Sequence, residues 1–311
     1  MTIPFAMPPL SRVRQDGPVW AGSARALWAL RPGTGRNRNR KTAQKTPRVP
    51  MSNQQPDALN VKVRFLLTRR CSARCAYCHN EGQADADAGA SLLPLHQVAA
   101  VLDTLIRQNC LPQEIVLSGG EPTLHKQVAS IARLCKSTGA HISMASHGGH
   151  PYLLMPVLPW LDELKLHIDD VDPERQWQSM GIALDAVQQS IVRAQQFPHL
   201  HLMANHPLAQ VQRTALFVAW AREQRVHVKI IHRLQSRLEP FMQWGNLGYT
   251  PLDAATWLHR NGWHRLFTKR CTARHNPEPT FFVDTQGIRT RLEGVSQPIM
   301  PGLDLRAMLA A

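Results

Sequence analysis

Residues 61–78 read VKVRFLLTRRCSARCAYC and contain the pattern that decides the fold. Apolar residues at positions 61, 63, 65 and 67 alternate with Lys62 and Arg64, which is the period of a β-strand with one apolar and one polar face. If this strand belongs to a barrel, Arg64 points into its interior. Three cysteines follow the strand on one short loop: Cys71, Cys75 and Cys78.

Beyond this stretch, the chain alternates between strand and helix patterns. Further strands are predicted at 114–118, 141–145, 163–169, 199–205 and 226–232, with apolar helical stripes between them at 98–106, 128–135, 184–194 and 216–220. About six β/α units predict an α/β fold, a partial (β/α)6 TIM-like barrel with its helices outside and its ligands at the carboxyl ends of the strands. Cys110 and Cys135 are interpreted as ordinary helix residues.

The predicted barrel occupies residues 57–243, and the segments on either side have different patterns. Residues 244–311 predict a helix from Thr250 to Gly262 and a hairpin around 284–287, together a short C-terminal segment that caps the barrel. Residues 1–56 form a basic leader that lacks an apolar face and is expected to be disordered. We favour its interpretation as upstream sequence translated ahead of a start at Met51, and an Arg-rich transit peptide is the alternative.

The charge distribution argues against a nucleic-acid partner. The net charge is +14, of which residues 1–50 carry +9, so the rest of the chain is only mildly basic. The longest apolar stretch, 152–161, is interrupted by two prolines and is too short to cross a bilayer. We therefore expect a cytoplasmic protein without a membrane partner.

Three thiols on one loop indicate a metal site. Three thiolates can hold three irons of a cubane while the fourth iron stays open to a ligand. A zinc site with His79 or a distant cysteine as fourth ligand is the main alternative, although the second CxxC or His pair typical of structural zinc is missing. A disulfide is disfavoured, because six cysteines without a signal peptide suggest a reducing compartment.

The CxxxCxxC spacing with Tyr77 before the last cysteine resembles the radical S-adenosylmethionine (SAM) signature, and residues 118–122, SGGEP, resemble the GGEP motif of that superfamily. The resemblance implies a 4Fe-4S cluster on the three cysteines and SAM on its open iron. It also implies that the backbone near Tyr77 contacts adenine and that Gly119 and Gly120 contact the methionine amino group. The remaining cofactor-binding positions implied by the resemblance are Glu121, Ser146 and His167.

The same resemblance implies the chemistry. An electron from the reduced cluster cleaves SAM, and the 5'-deoxyadenosyl radical that forms abstracts hydrogen from a substrate. A reducing partner such as flavodoxin or ferredoxin is then expected. Whether SAM is consumed or regenerated stays open.

Within the superfamily, residues 64–82 and 114–234 look most like the MoaA-type cyclases, which begin molybdopterin synthesis from GTP. Arg64 matches an arginine that contacts GTP in that family, and residues 145–148, ASHG, take the place of their Thr-Thr-Asn-Gly. Two basic residues of the cyclases are replaced here by Val116 and Met203, and their SAM-contacting serine falls at His167. Only Cys271 remains of their second-cluster cysteines, with Arg274 and Arg291 at the other two positions. These departures disfavour GTP cyclisation.

Charged residues on the fourth predicted strand are candidates for substrate binding. Lys165, His167 and Asp169 share one face, and together with Arg64 they are the predicted catalytic residues. Lys229 and Arg233 on strand six are further candidates. Arg64, Lys165 and Arg233 would suit a small anionic substrate, although ion pairs inside the barrel or at its rim explain the charged residues equally well. A peptide maturase is the second functional hypothesis, and a non-catalytic metal module that binds nucleic acid through the leader is the third.

Overall fold

A computed structural model describes residues 57–75, 78, 92–207, 211–231, 267–268, 279–291 and 294–310. The basic leader to residue 56 and the predicted tail helix at 250–262 lie outside these residues. The strands are β1 (Leu59–Leu66), β2 (Cys110–Ser118), β3 (His141–Ser146), β4 (Glu163–His167), β5 (His201–Pro207), β6 (His227–Ile231), β7 (Phe267–Thr268), β8 (Thr280–Asp284) and β9 (Gly287–Arg289). The helices are α1 (Leu95–Arg107), α2 (Val128–Lys136), α3 (Pro151–Leu154), α4 (Pro173–Met180), α5 (Leu184–Ala194), α6 (Val211–Glu223) and α7 (Leu305–Ala310).

These strands form one sheet in the order β7-β6-β5-β4-β3-β2-β1-β8-β9. Neighbouring strands from β7 to β8 are parallel, and only the β8–β9 pair is antiparallel. The predicted order of β/α units is confirmed, and the sheet is that of a partial TIM-like barrel. None of the described helices is long and apolar enough to cross a membrane.

The predicted C-terminal hairpin is confirmed, but its strands extend the sheet instead of forming a separate cap. β8 pairs in parallel with β1, with Phe65 opposite Val283, so the turn of the hairpin lies at the carboxyl edge of the sheet. Phe281 and Val283 are fully buried and join the main core. This pairing joins residues more than 200 positions apart, which local periodicity does not reveal.

Strand β1 has one apolar face and one polar face, as predicted. Val63 and Phe65 are fully buried in the core that the helices cover, whereas Lys62 and Arg64 lie on the opposite, inner face. Helix α1 presents an apolar stripe of Val98, Val101, Leu102 and Leu105 to the same core. The inner face of β1 is therefore its polar face.

Helix α4 is absent from the sequence prediction because its buried residues do not form an apolar stripe. Only Gln176 and Met180 are buried in it. Its boundaries come from capping: the Asp172 side chain accepts a hydrogen bond from the Arg175 N–H, and Gly181 ends the helix with a φ of 67°.

The helical interpretation of Cys110 is wrong. α1 ends at Arg107, Asn109 takes a positive φ of 55°, and Cys110 begins β2. The turn at Asn109 separates α1 from β2. The first residues of β2 could not be recognised from sequence, because Pro112 interrupts the alternating pattern. Cys135 lies in α2 and is buried in the core, as predicted.

Ion pairs cross the inner face near the amino ends of the strands. Lys62 pairs with Glu114 on the neighbouring strand. Lys165 Nζ lies 2.6 Å from Glu163 Oε2 and 3.6 Å from Glu114 Oε1, and His201 Nδ1 lies 3.2 Å from Glu163 Oε1. The positive charge of Lys165 is therefore compensated by Glu114 and Glu163 on the same face. Of the two explanations open for this residue, the ion pair is the one that the contacts support.

Glu114 makes this network sensitive to acid. Burial raises the pKa of Glu114, but the Lys62 hydrogen bond and the charges of Lys165, Lys62 and His141 outweigh it, so the net shift is downward. A carboxyl group with a lowered pKa in the folded state stabilises the protein above its ordinary pKa. That contribution disappears as the pH falls through the lowered value.

We expect Glu114→Gln to reduce the free energy of unfolding by about 1–3 kcal/mol near neutral pH, because two lysines lose a charged partner. The difference from wild type should begin to shrink as the pH falls below the ordinary glutamate pKa of about 4.3, and it should disappear as the pH falls through the lowered pKa of folded Glu114. Urea unfolding followed by circular dichroism over this range measures both effects. Glu223→Gln, at the exposed end of α6, is the control; equal acid sensitivity in Glu114→Gln and wild type would contradict the assignment.

Candidate active site

The cysteine loop leaves β1 at the carboxyl edge of the sheet, where ligands of such folds bind. Cys71 and Cys78 are exposed and Cys75 is half-buried. The Cys78 N–H donates to the Cys75 carbonyl at 3.0 Å, and the Ala73 N–H donates to Cys71 Sγ at 3.4 Å. The loop thus makes a tight turn around its sulfur atoms.

The three thiols are of the ligand type that holds iron-sulfur clusters. Within the described residues, which include all three cysteines, no group of three or more His, Cys, Asp or Glu side chains is arranged to hold a single metal ion. The N–H group that donates to Cys71 Sγ is also the type of contact that tunes iron-sulfur clusters.

Without a metal, the Cys71 thiol keeps its proton. Although the Cys71 residue is exposed, the protein around its sulfur keeps water away from the thiolate and raises its pKa to about 11; the charges of Glu121 and Cys78 add to the rise against the lowering effect of the Ala73 N–H. The influence of Cys78 reflects the proximity of the two sulfur atoms. Metal binding at this loop must therefore release a proton, as is usual for thiolate ligands.

Gly119 and Gly120 allow the GGEP loop to pack against the cysteine loop. The Gly120 N–H donates to the Thr68 carbonyl at 2.7 Å, and the Glu121 N–H donates to the Arg70 carbonyl at 2.7 Å. A Cβ at Gly119 would lie 2.5 Å from Thr68 O, and one at Gly120 would lie 2.2 Å from Arg70 O. Contact of these glycines with the methionine amino group stays a prediction. In the structure, the missing side chains allow close approach to protein backbone.

The Glu121 carboxylate is fully buried and accepts hydrogen bonds from three residues. Oε1 accepts from the Thr123 N–H at 3.1 Å, the Thr123 hydroxyl at 2.6 Å and the Ser146 hydroxyl at 2.9 Å. Oε2 accepts from the His147 N–H at 2.9 Å and lies 3.3 Å from His147 Nε2. These contacts tie the end of β2 to the end of β3. Both Glu121 and Ser146, predicted as cofactor contacts, direct their polar atoms to each other.

His147 extends this network to the cysteine loop. Its Nε2 lies 3.0 Å from the Ser72 hydroxyl, which is also 2.8 Å from His150 Nε2. The Gly149 N–H donates to His147 Nδ1 at 2.9 Å, so the proton of a neutral ring is on Nε2. Burial lowers the pKa of His147, and the opposing effect of Glu121 does not reverse the shift.

A third contact to the cysteine loop comes from the end of α4. The Arg74 N–H donates to the Met180 carbonyl at 2.7 Å, and the Arg74 guanidinium lies 5.5 Å from the Trp177 ring centroid. A Cβ at Gly181 would lie 2.7 Å from Arg74 Nε. Loops after β2, β3 and β4 thus all hold the cysteine loop.

At the end of β4, His167 and Asp169 lie together as predicted. His167 Nε2 is 3.1 Å from Asp169 Oδ1, and Ser179 of α4 donates to Asp169 Oδ2. The Asp169 N–H donates to the buried Gln176 side chain at 3.1 Å. On β1, which is separated from β4 by β2 and β3, Arg64 Nη1 lies 3.4 Å from the Ser118 hydroxyl. Tyr77, His79, Arg233, Cys271 and Arg274 lie outside the described residues.

Ser72, His147 and His150 were not among the site residues predicted from sequence. A signal was present in residues 147–150, HGGH, where the cyclases have an asparagine at the first position. A histidine at position 147 is longer than an asparagine, and its second ring nitrogen, Nε2, reaches the Ser72 hydroxyl of the cysteine loop.

Gly119→Ala tests the packing of the two loops against Gly139→Ala. Both glycines have a positive φ, of 122° and 81°, but a Cβ at Gly139 meets nothing within 4 Å. We expect Gly139→Ala to cost about 1 kcal/mol of folding free energy for its backbone conformation, and Gly119→Ala to cost at least about 2 kcal/mol more because backbone must move. Urea unfolding measures both costs, and equal costs would show that the loops do not pack as described.

Comparison with known proteins agrees with this geometry. The family model of the radical SAM superfamily matches residues 65–231. A probable GTP 3',8-cyclase of Pyrococcus horikoshii is 29% identical over 135 residues, which cover 42% of each chain. A GTP 3',8-cyclase of Haemophilus influenzae is 25% identical over 210 residues, which cover 65% of this chain and 61% of the relative. The match thus spans about two fifths to three fifths of the length of these curated relatives.

Solved structures share the fold at low sequence identity. Streptococcus suis SuiB bound to the precursor peptide SuiA has a TM-score of 0.61 at 10% identity, covering 81% of this chain and 65% of that one. The structure of anSMEcpe with bound AdoMet has a TM-score of 0.56 at 12% identity, covering 76% and 75%. The matched family model covers more than half of the chain and spans β1 to β6. The chain therefore belongs to the radical SAM superfamily and resembles the MoaA-type cyclases.

Proposed function

We propose that this enzyme holds one 4Fe-4S cluster on Cys71, Cys75 and Cys78 and cleaves SAM reductively to generate a 5'-deoxyadenosyl radical. The observation that carries the proposal is the cysteine loop itself. It presents three thiols from one turn at the carboxyl edge of the sheet, and the GGEP loop packs directly against its backbone. Such a loop leaves one iron of a cubane without a protein ligand.

When bound, the cluster would supply the electron that breaks the bond between the sulfur and the 5' carbon of SAM. The residues of the chain supply placement. The backbone at Gly119 and Gly120 borders the site, while Glu121 and Ser146 orient that backbone from a buried position. His167, half-buried beside Asp169 on the inner face, is positioned to contact SAM or substrate, and Tyr77 is proposed to contact adenine through its backbone.

The substrate is proposed to be a small anion. Arg64 lies on the inner face at the same edge as the cysteine loop, and its Nη1 lies 3.4 Å from the Ser118 hydroxyl. Lys165 is compensated by two glutamates and is not proposed to bind substrate. A guanidinium group near the mouth favours a carboxylate or phosphate ligand.

GTP is disfavoured as the substrate, although the curated relatives are GTP cyclases. Val116 is 1% exposed and takes the place of a basic residue, and Met203 replaces a second one. Apolar side chains at these positions cannot pair with a triphosphate. The barrel that SuiB shares does not choose between a small molecule and a peptide, because one fold serves many substrates.

The electron is proposed to come from a protein donor such as flavodoxin or ferredoxin. Cys71 and Cys78 are exposed, so the loop lies at the protein surface, where a donor can approach.

Anaerobic reconstitution with iron and sulfide, followed by dithionite and SAM, tests the central proposal. Wild type should bind about four irons per chain and form 5'-deoxyadenosine, while Cys75→Ala should form none because the cluster loses a ligand. Iron content and chromatography of the nucleoside are the measurements.

Cys135→Ala is the matched control, because it removes a buried thiol from α2, outside the cysteine loop. It should retain both iron and 5'-deoxyadenosine formation. One zinc ion per wild-type chain with SAM left intact would overturn the proposal in favour of a metal module. Turnover of added GTP would instead identify a cyclase.

A further inference from the structure

A continuous set of hydrogen-bonding groups links the buried Glu121 carboxylate to the cysteine loop. Glu121 Oε2 is 3.3 Å from His147 Nε2, which is 3.0 Å from the Ser72 hydroxyl. Ser72 lies between Cys71 and Cys75 in sequence, and the second neighbour of its hydroxyl is His150 Nε2 at 2.8 Å. His147 is 5% exposed, whereas Ser72 is exposed. The set therefore runs from the core to the surface turn that carries the thiols.

The direction of these hydrogen bonds follows from the His147 ring. Because Nδ1 accepts from the Gly149 N–H, the neutral ring has one N–H group, at Nε2, and this nitrogen lies 3.0 Å from the Ser72 hydroxyl. The Ser72 oxygen accepts from it, which leaves the Ser72 hydroxyl proton to donate to His150 Nε2. One ring thus contacts a backbone amide, a buried charge and the cysteine turn.

We propose that His147 is a positioning residue that acts through Ser72, holding the Cys71–Cys75 turn in the cluster-binding arrangement before the cluster binds. The inference rests on the proposed function, since it assumes that these cysteines are the ligands. Neither residue is a ligand itself. Groups behind the ligands of a metal site orient those ligands, and their loss typically lowers metal affinity 10- to 100-fold.

Two substitutions of His147 separate its two contacts. In His147→Asn the side-chain oxygen can accept from the Gly149 N–H, but the side chain is too short to reach Ser72. In His147→Gln the amide nitrogen reaches the former position of Nε2 and can still donate to Ser72. Ser72→Ala removes the same link from the exposed side without opening a cavity, so it keeps the test valid if a His147 variant folds poorly. His96→Asn, an exposed histidine on α1, is the control.

In the metal-free protein, amide hydrogen exchange at residues 71–75 should be about tenfold faster in His147→Asn and Ser72→Ala than in wild type. In the reconstituted protein, a chelator should remove iron about tenfold faster from the same variants. The midpoint potential of the cluster should also shift, because hydrogen bonding and solvent exposure around a cluster set it. His147→Gln should stay close to wild type, and the double variant His147→Asn/Ser72→Ala should match the single variants.

Wild-type exchange, iron loss and potential in both His147→Asn and Ser72→Ala would overturn the inference. Fully additive effects in the double variant would do so as well, because they would show that the two residues act independently. The two proposals fail in different ways. If wild type binds no cluster, the proposed function is wrong, whereas a wild-type cluster with unaffected variants removes only the role of His147.

Discussion

The burial of the Glu121 carboxylate is the constraint on which the site depends. A buried charge is very costly unless polar hydrogens surround it, and here the donors come from two separate loops. Satisfying that charge brings the end of β2 against the end of β3. The glycines before Glu121 then let the same loop lie on the backbone of the cysteine loop. One carboxylate thus fixes the relative positions of three loops.

The polar residues of the inner face differ between the amino ends and the carboxyl ends of the strands. Near the amino ends of the strands, lysines and glutamates of the inner face pair with each other and fill the interior with compensated charge. Toward the carboxyl edge stand Arg64, Ser118, His167 and Asp169, beside the cysteine loop. The ion pairs near the amino ends of the strands thus contribute to stability, whereas the carboxyl edge is where folds of this type bind ligands.

This chain shares the barrel and both motifs with the GTP cyclases, yet the residues around its site differ. Val116 and Met203 make parts of the inner face apolar where cyclases carry charge, and His147 connects the end of β3 to the cysteine loop. The common parts belong to the chemistry of the superfamily. The differences lie on the inner face, where the substrate would bind, and beside the cysteine loop. The substrate is therefore not inferred from the family.

The sequence alone determined the order of β/α units, the inner face of β1 and the grouping of the three cysteines, because these depend on local periodicity and spacing. It did not reveal α4, because this helix has capping residues at its ends but no apolar stripe. It also did not reveal the parallel pairing of β8 with β1. Only the tertiary structure decided that Lys165 is an ion-pair partner, that Gly119 and Gly120 face protein backbone, and that His147 contacts Ser72. Each of these depends on residues distant in sequence that the fold brings within hydrogen-bond reach, and no local pattern records such distances.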